Sequence, residues 1–197
     1  MAITSNRNGN LTIYVDRTSV NKSLSLSESS KLTNAVGKLV GPSMVDANDA
    51  KGTLIPEDLY LKDGNNSATT KDGSYLAYTF YVFNSGSQTL DYEMKFNLEN
   101  QSKNLDEALR IKLYINDEIP VTYSKRVSGV SEFDDSLTSD FESSKIIASN
   151  TVTNLEPGQS TRYTILIWIE QDDMHCNNDK LGGSVTLSMS FSVLGEL

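Results

Sequence analysis

The sequence is poor in the residues that usually betray covalent architecture or catalysis. A single cysteine, Cys176, excludes an internal disulfide and with it the small disulfide-stapled secreted folds. A single histidine, His175, excludes a two-histidine zinc site, and no His-Glu-x-x-His sequence occurs. No apolar run approaches the roughly 20 residues that span a bilayer. The opening Met1-Ala-Ile-Thr-Ser-Asn-Arg-Asn-Gly-Asn10 lacks the apolar centre of a signal peptide, so Met1 fits either a natural start or one placed where an export segment was removed. Basic residues are outnumbered, 17 against 26, and the resulting net charge of −9 argues against attraction to nucleic acid or to an anionic lipid surface. A Gly-x-Ser-x-Gly elbow, a phosphate-cradling glycine loop and a fixed-period repeat are also missing.

What the chain has in abundance is alternation. Val185, Leu187, Met189, Phe191 and Val193 share one face, while Ser184, Thr186, Ser188, Ser190 and Ser192 share the other, which is the period of two of a half-buried strand. Leu11, Ile13 and Val15 alternate in the same way after the turn residues Asn8-Gly9-Asn10. Residues 75–83 are so rich in aromatic and β-branched side chains that a central strand covered on both faces is expected. Residues 90–98 alternate again, and the connection of hairpin length before them predicts that the two strands pair antiparallel. Residues 104–109 read as one helical turn with Asn104 as N-cap, Asp106 and Glu107 at the positive end, and Leu105 and Leu109 plugging the end of a sandwich. Residues 110–115 and 119–123 form a second expected hairpin, 145–149 a brief strand and 124–144 a surface loop. The Ser-rich run 23–30 reads as an edge strand or an ordered loop. Together these predict one domain over 1–197: all-β, a jelly-roll-like antiparallel β-sandwich with one short helix and long surface loops.

Candidate chemistry gathers in one place. Glu170, Asp172, Asp173, His175 and Asp179, with Cys176 among them, fall within ten residues between two strong strands. Oxygen ligands of this kind suit calcium, and His175 with Cys176 would suit zinc. The spacing matches neither an EF-hand loop nor a paired Cys/His motif, so the competing reading is a solvated strand-end loop without a cofactor. A cysteine nucleophile needs a positioned base, and on extended backbone His175, its immediate neighbour, points the opposite way. Asp134 and Asp135 imitate a glycosidase pair in composition only, since adjacency does not give opposing geometry. Trp168, opposite Ile165 and Ile167, reads as core in a strand covered on both sides or as an exposed ligand platform.

The run Leu155-Glu-Pro-Gly-Gln-Ser-Thr-Arg-Tyr-Thr-Ile-Leu-Ile-Trp-Ile-Glu-Gln-Asp-Asp173, followed by Cys176-Asn-Asn-Asp179, Leu181-Gly-Gly183 and Leu187-Ser-Met-Ser-Phe191, resembles the closing segment of the camelysin/TasA-type exported proteins of Gram-positive bacteria. Residues 75–86 and 104–110 are similar to the family's middle portion, and the residues before Tyr75 match only loosely. The resemblance implies a jelly-roll-like sandwich, an extracellular or cell-surface location, and a non-enzymatic biofilm-matrix role in fibres built by donating an N-terminal strand to the next subunit. Here that donor would lie in residues 1–17, with Leu11, Ile13 and Val15 as anchors; the alternative is that the strand pairs within its own chain. The metalloprotease activity attached to camelysin finds no zinc motif in this sequence. The alternative function is a cation-dependent cell-surface hydrolase or a calcium-stabilised binding module using Glu170, Asp172, Asp173, His175 and Asp179.

Overall fold

The structure, a computed structural model, describes residues 11–42, 49–52, 55, 67–69, 75–127 and 138–195. Residues 1–10, Asp134 and Asp135 lie outside them. One sheet runs in the order β10 (Ile146–Leu155), β6 (Leu90–Gln101), β12 (Val185–Leu194), β1 (Leu11–Val15) and β3 (Lys38–Val40). The other runs β2 (Leu24–Ser27), β5 (Tyr75–Asn84), β11 (Ser160–Ile169), β7 (Leu109–Ile115), β8 (Val121–Ser124) and β9 (Thr138–Asp140). A short β4 (Ser67–Thr69) joins β2 on the same edge of β5. This is the expected all-β sandwich. Its ladders are antiparallel except for β1 with β12 and β8 with β9, which run parallel.

The alternation in the sequence becomes the interior. Leu11, Ile13 and Val15 from β1, Tyr92, Met94 and Phe96 from β6 and Leu187, Met189 and Phe191 from β12 meet Leu76, Tyr78, Phe80 and Val82 from β5 and Tyr163, Ile165 and Ile167 from β11. Phe191 is the hub: its ring centroid lies 5.3 Å from Tyr163, 5.9 Å from Phe80 and 6.0 Å from Tyr92, in edge-to-face arrangements. The hydroxyls of Tyr92 and Tyr163 satisfy each other at 3.0 Å inside this cluster. Burial pushes Tyr92 up to about 12 and Tyr163 well above its ordinary value, so both phenols stay neutral and the hydrogen bond persists at all ordinary pH.

Several expectations are corrected. β5 and β6 do not pair; they lie in different sheets. The Asn84 side chain causes the crossing: its amide donates to the carbonyls of Gln88 (2.7 Å) and Leu155 (2.9 Å), and its oxygen accepts from Gly86 N–H (2.9 Å). These bonds arch the chain over the end of the sandwich, and a Cβ on Gly86 would sit 2.7 Å from the Cβ of Ser23. Asn104 stands at the N-cap position as expected, but its side chain makes no capping bond. It takes a left-handed conformation (φ 50°) before a 3-10 turn at Leu105–Glu107, whose Leu105 plugs the core as expected. The brief strand at 145–149 is the start of the ten-residue β10. A five-residue helix, α1 (Arg17–Asn21), follows β1 with Asp16 at its N-cap position but no side-chain capping bond; it is docked on β12 by Ser19 Oγ, which accepts from Val193 N–H at 2.8 Å.

Candidate functional site

The acidic insert leaves β11 at Glu170 and crosses the outer face of the β5–β11–β7 sheet. That face carries Arg110, Tyr114, Leu166, Trp168, Tyr75 and Ala77, because on each strand these residues alternate with the ones that enter the main core. An exposed apolar face of this kind needs a cover. Residues 49–52 and Ile55 supply part of it: Ala50 N–H donates to Ile169 C=O and Gln171 N–H to Ala50 C=O, each at 2.9 Å. Gly52 lies flat on the indole of Trp168, where a Cβ would come within 2.7 Å of the ring. Trp168 is 5 % exposed, so it is core and not a ligand platform.

Each candidate ligand in the insert can be placed. Glu170 Oε2 accepts from the Trp168 ring N–H at 2.8 Å and from Gly52 N–H at 3.0 Å. Asp172 pairs with Lys51 at 3.0 Å in solvent. Asp173 is buried and meets Arg110 at 2.5 Å, while its other oxygen accepts from His175 N–H at 2.8 Å and contacts His175 Nδ1 at 2.9 Å. Asp179 is exposed on a 3-10 turn at Asn178–Lys180, whose Lys180 reaches Glu107 at 2.5 Å. Among these five, the side chains of Asp173 and His175 touch, and Glu170 Oε1 accepts from the Asp172 backbone N–H at 3.3 Å. Among the described residues, no group of three or more His, Cys, Asp and Glu side chains is gathered so as to hold a metal ion.

The partners sequence reasoning missed are Arg110, Lys51 and Gly52. Arg110 carried no distinguishing signal, since it alternates with apolar residues just as Lys112 does on the same face, and only its burial sets it apart. The insert is therefore a clasp: its carboxylates hold the cover of the outer face to the sheet through cations and N–H donors of the same chain. Since those carboxylates already have partners, EDTA is expected to leave the melting temperature unchanged in differential scanning calorimetry, whereas a calcium-stabilised clasp would lose several degrees.

Cys176 is half-buried, its Sγ 3.8 Å from the Asp49 carboxylate. Burial pushes the thiol up to about 11, with Asp49 adding to the shift, so almost no nucleophilic thiolate exists at neutral pH. A cleft of about 140 Å³ lies elsewhere, between residues 21–23 and 86–90. It is smaller than the roughly 300 Å³ at which small-molecule sites begin, and its lining holds no histidine or carboxylate. Among the described residues no helix is long and apolar enough to cross a membrane. No protein-family model, curated protein or solved structure matches the chain.

Proposed function

We propose that this chain is a non-enzymatic structural protein of the extracellular matrix or cell surface, which assembles into fibres when β1 leaves its own sheet and occupies the same place in a second copy. The observation that carries this reading is the setting of β1. Leu11 and Ile13 are 0 % exposed and Val15 5 %, so the strand fills three core positions. Yet it is only five residues long, its inner neighbour β12 is not connected to it by a hairpin, and its outer neighbour β3 is only three residues long. Such a strand is strongly specified by register but weakly enclosed, and an identical strand from another copy meets the same slots. The resemblance to the camelysin/TasA-type family supports the same role and the same location.

Deleting β1 would strip three core side chains, so a clamp is the cleaner test. Tyr14 and Lys38 are opposite each other in the antiparallel β1–β3 ladder. Neighbouring ladder bonds run through Val15 N–H to Gly37 C=O and Gly41 N–H to Leu11 C=O, which makes Tyr14 and Lys38 a non-hydrogen-bonded pair with Cα atoms about 4.5 Å apart. With Tyr14→Cys and Lys38→Cys in a Cys176→Ser background, the oxidised chain is expected to form no fibres in light scattering and electron microscopy. Reduction should restore the fibres of the native chain. Equal assembly in both redox states, or a native chain that never assembles, would overturn the proposal.

A further inference from the structure

Among the described residues the sandwich has several open edges, and all but one are blunted. β3 and β9 have three residues each, and β2 is partly covered by its bridge from Leu26 to Val36. β10 is the exception, ten residues long with one side on β6. It is Ile-Ile-Ala-Ser-Asn-Thr-Val-Thr-Asn-Leu, without a charge, in a chain of which 22 % is charged. Lysine, proline and inward-pointing charge, the usual protections of an edge, are all missing from it.

The backbone says which groups are open. Leu98 N–H donates to Lys145 C=O, which turns Leu98, Phe96, Met94 and Tyr92 of β6 toward β10. Their partners Ala148, Asn150 and Val152 therefore face inward, and Ser149, Thr151 and Thr153 present their N–H and C=O groups outward. Ser149 N–H is already taken by Glu142 Oε1 at 2.6 Å. Beyond Thr153 the strand is interrupted: Asn154 is left-handed (φ 58°) and its N–H is held by Asp91 at 2.7 Å. What remains is Ser149 C=O, Thr151 N–H, Thr151 C=O and Thr153 N–H. Among the described residues nothing pairs with them.

That set is self-complementary. We infer that β10 pairs antiparallel with β10 of a second copy about a two-fold axis through Thr151. The axis makes Thr151 exchange both bonds with its own equivalent and lets each Thr153 N–H donate to the Ser149 C=O opposite. All four groups on each copy are then used, and the second copy's Thr153 C=O takes the Ser149 N–H, from which the Glu142 carboxylate swings aside. β10 itself adds no charge to the approach of two molecules carrying −9 each, and the carboxylate on the edge, Glu142 at Ser149, is the one that the pairing displaces. This surface is on the opposite edge of the sheet from β1 and β3, so it is independent of strand exchange.

The register gives the test. Thr151 is exposed, and in a hydrogen-bonded antiparallel pair its Cα would lie about 5.5 Å from its equivalent, within disulfide range. Thr153, equally exposed and on the same face, would be opposite Ser149 instead. In full-length chain carrying Cys176→Ser, T151C is expected to form an intermolecular disulfide roughly tenfold faster than T153C under the same mild oxidant, the gain coming from a raised effective concentration. Sedimentation velocity on the native chain at about 0.5 mM, where small interfaces populate, is expected to show dimers that T151K abolishes by setting two ammonium groups face to face. Equal crosslinking of T151C and T153C, or a native chain that stays monomeric and is unaffected by T151K, would overturn the inference. With the β1 clamp oxidised the T151C result should not change, which separates failure of this edge from failure of strand exchange.

Discussion

Arg110→Ala is expected to lower the free energy of unfolding by about 3–5 kcal/mol, because it strands a buried carboxylate, and to lower the melting temperature by about 10 °C. Arg110 and Asp173 have side chains only 7 % and 8 % exposed, and the guanidinium is the cation that meets Asp173 Oδ2. Removing it leaves His175 on the other oxygen but nothing on this one. The pH dependence carries the same signature. Burial by itself would raise the Asp173 carboxyl, but the His175 backbone N–H and the Arg110 guanidinium outweigh it and hold the group below the ordinary carboxylate range. A group depressed in the folded state contributes stability that is full above its unfolded value, about 4, and is lost as pH falls through the folded value. The native chain should therefore lose stability steeply on acidification, and Arg110→Ala, having lost the guanidinium's share of that depression, should lose it less steeply. Urea unfolding at a series of pH values checks both; parallel acid limbs would mean that Arg110 does not hold Asp173 ionised.

Phe191→Ala should be comparably damaging, at about 3–5 kcal/mol for a fully buried aromatic ring. Phe191 touches aromatics from β5, β6 and β11 together, so truncation opens a cavity where both sheets meet. It also unwalls the Tyr92–Tyr163 hydroxyl pair, whose 3.0 Å bond depends on dry surroundings. Phe191→Leu should recover more than half of the loss, since transfer free energy is retained and only shape is sacrificed. Denaturant titration of the two variants is the measurement. Equal losses would show that ring geometry, not volume, is what the core requires.

The parts of the fold legible in the sequence were those in which one strand face is apolar and the other wet. β1 is bounded as its alternation demanded, and in β12 the five apolar residues of the pattern pack on the core. β10 was half hidden because it borders the core on one side only, and Asn150-Thr-Val-Thr-Asn154 offers a single apolar residue to announce it. The pairing of β5 with β6 was misread because loop length does not distinguish a hairpin from an arch; the distinction is made by the Asn84 side chain reaching Leu155, 71 positions away. The acidic insert was visible as a cluster, but its partners were not: Arg110 is 63 positions from Asp173, and Gly52 is 118 from Glu170. Local spacing identifies potential ligands, and only the sheet order reveals which cations and N–H groups reach them first.

The parallel ladder between β1 and β12 also sets a timetable. Leu11 is in register with Leu187, and Val15 with Phe191. A chain emerging from the ribosome at 5–20 residues per second would therefore hold its first strand unpaired on this edge for on the order of ten seconds. During that interval the three apolar side chains of β1 have no permanent partner on this edge, because the strand that receives them, β12, is made so much later than β1. High contact order of this kind slows folding, and it makes the nascent or refolding chain most exposed to capture by chaperones, or by other copies of itself, at the same strand that later seals the core.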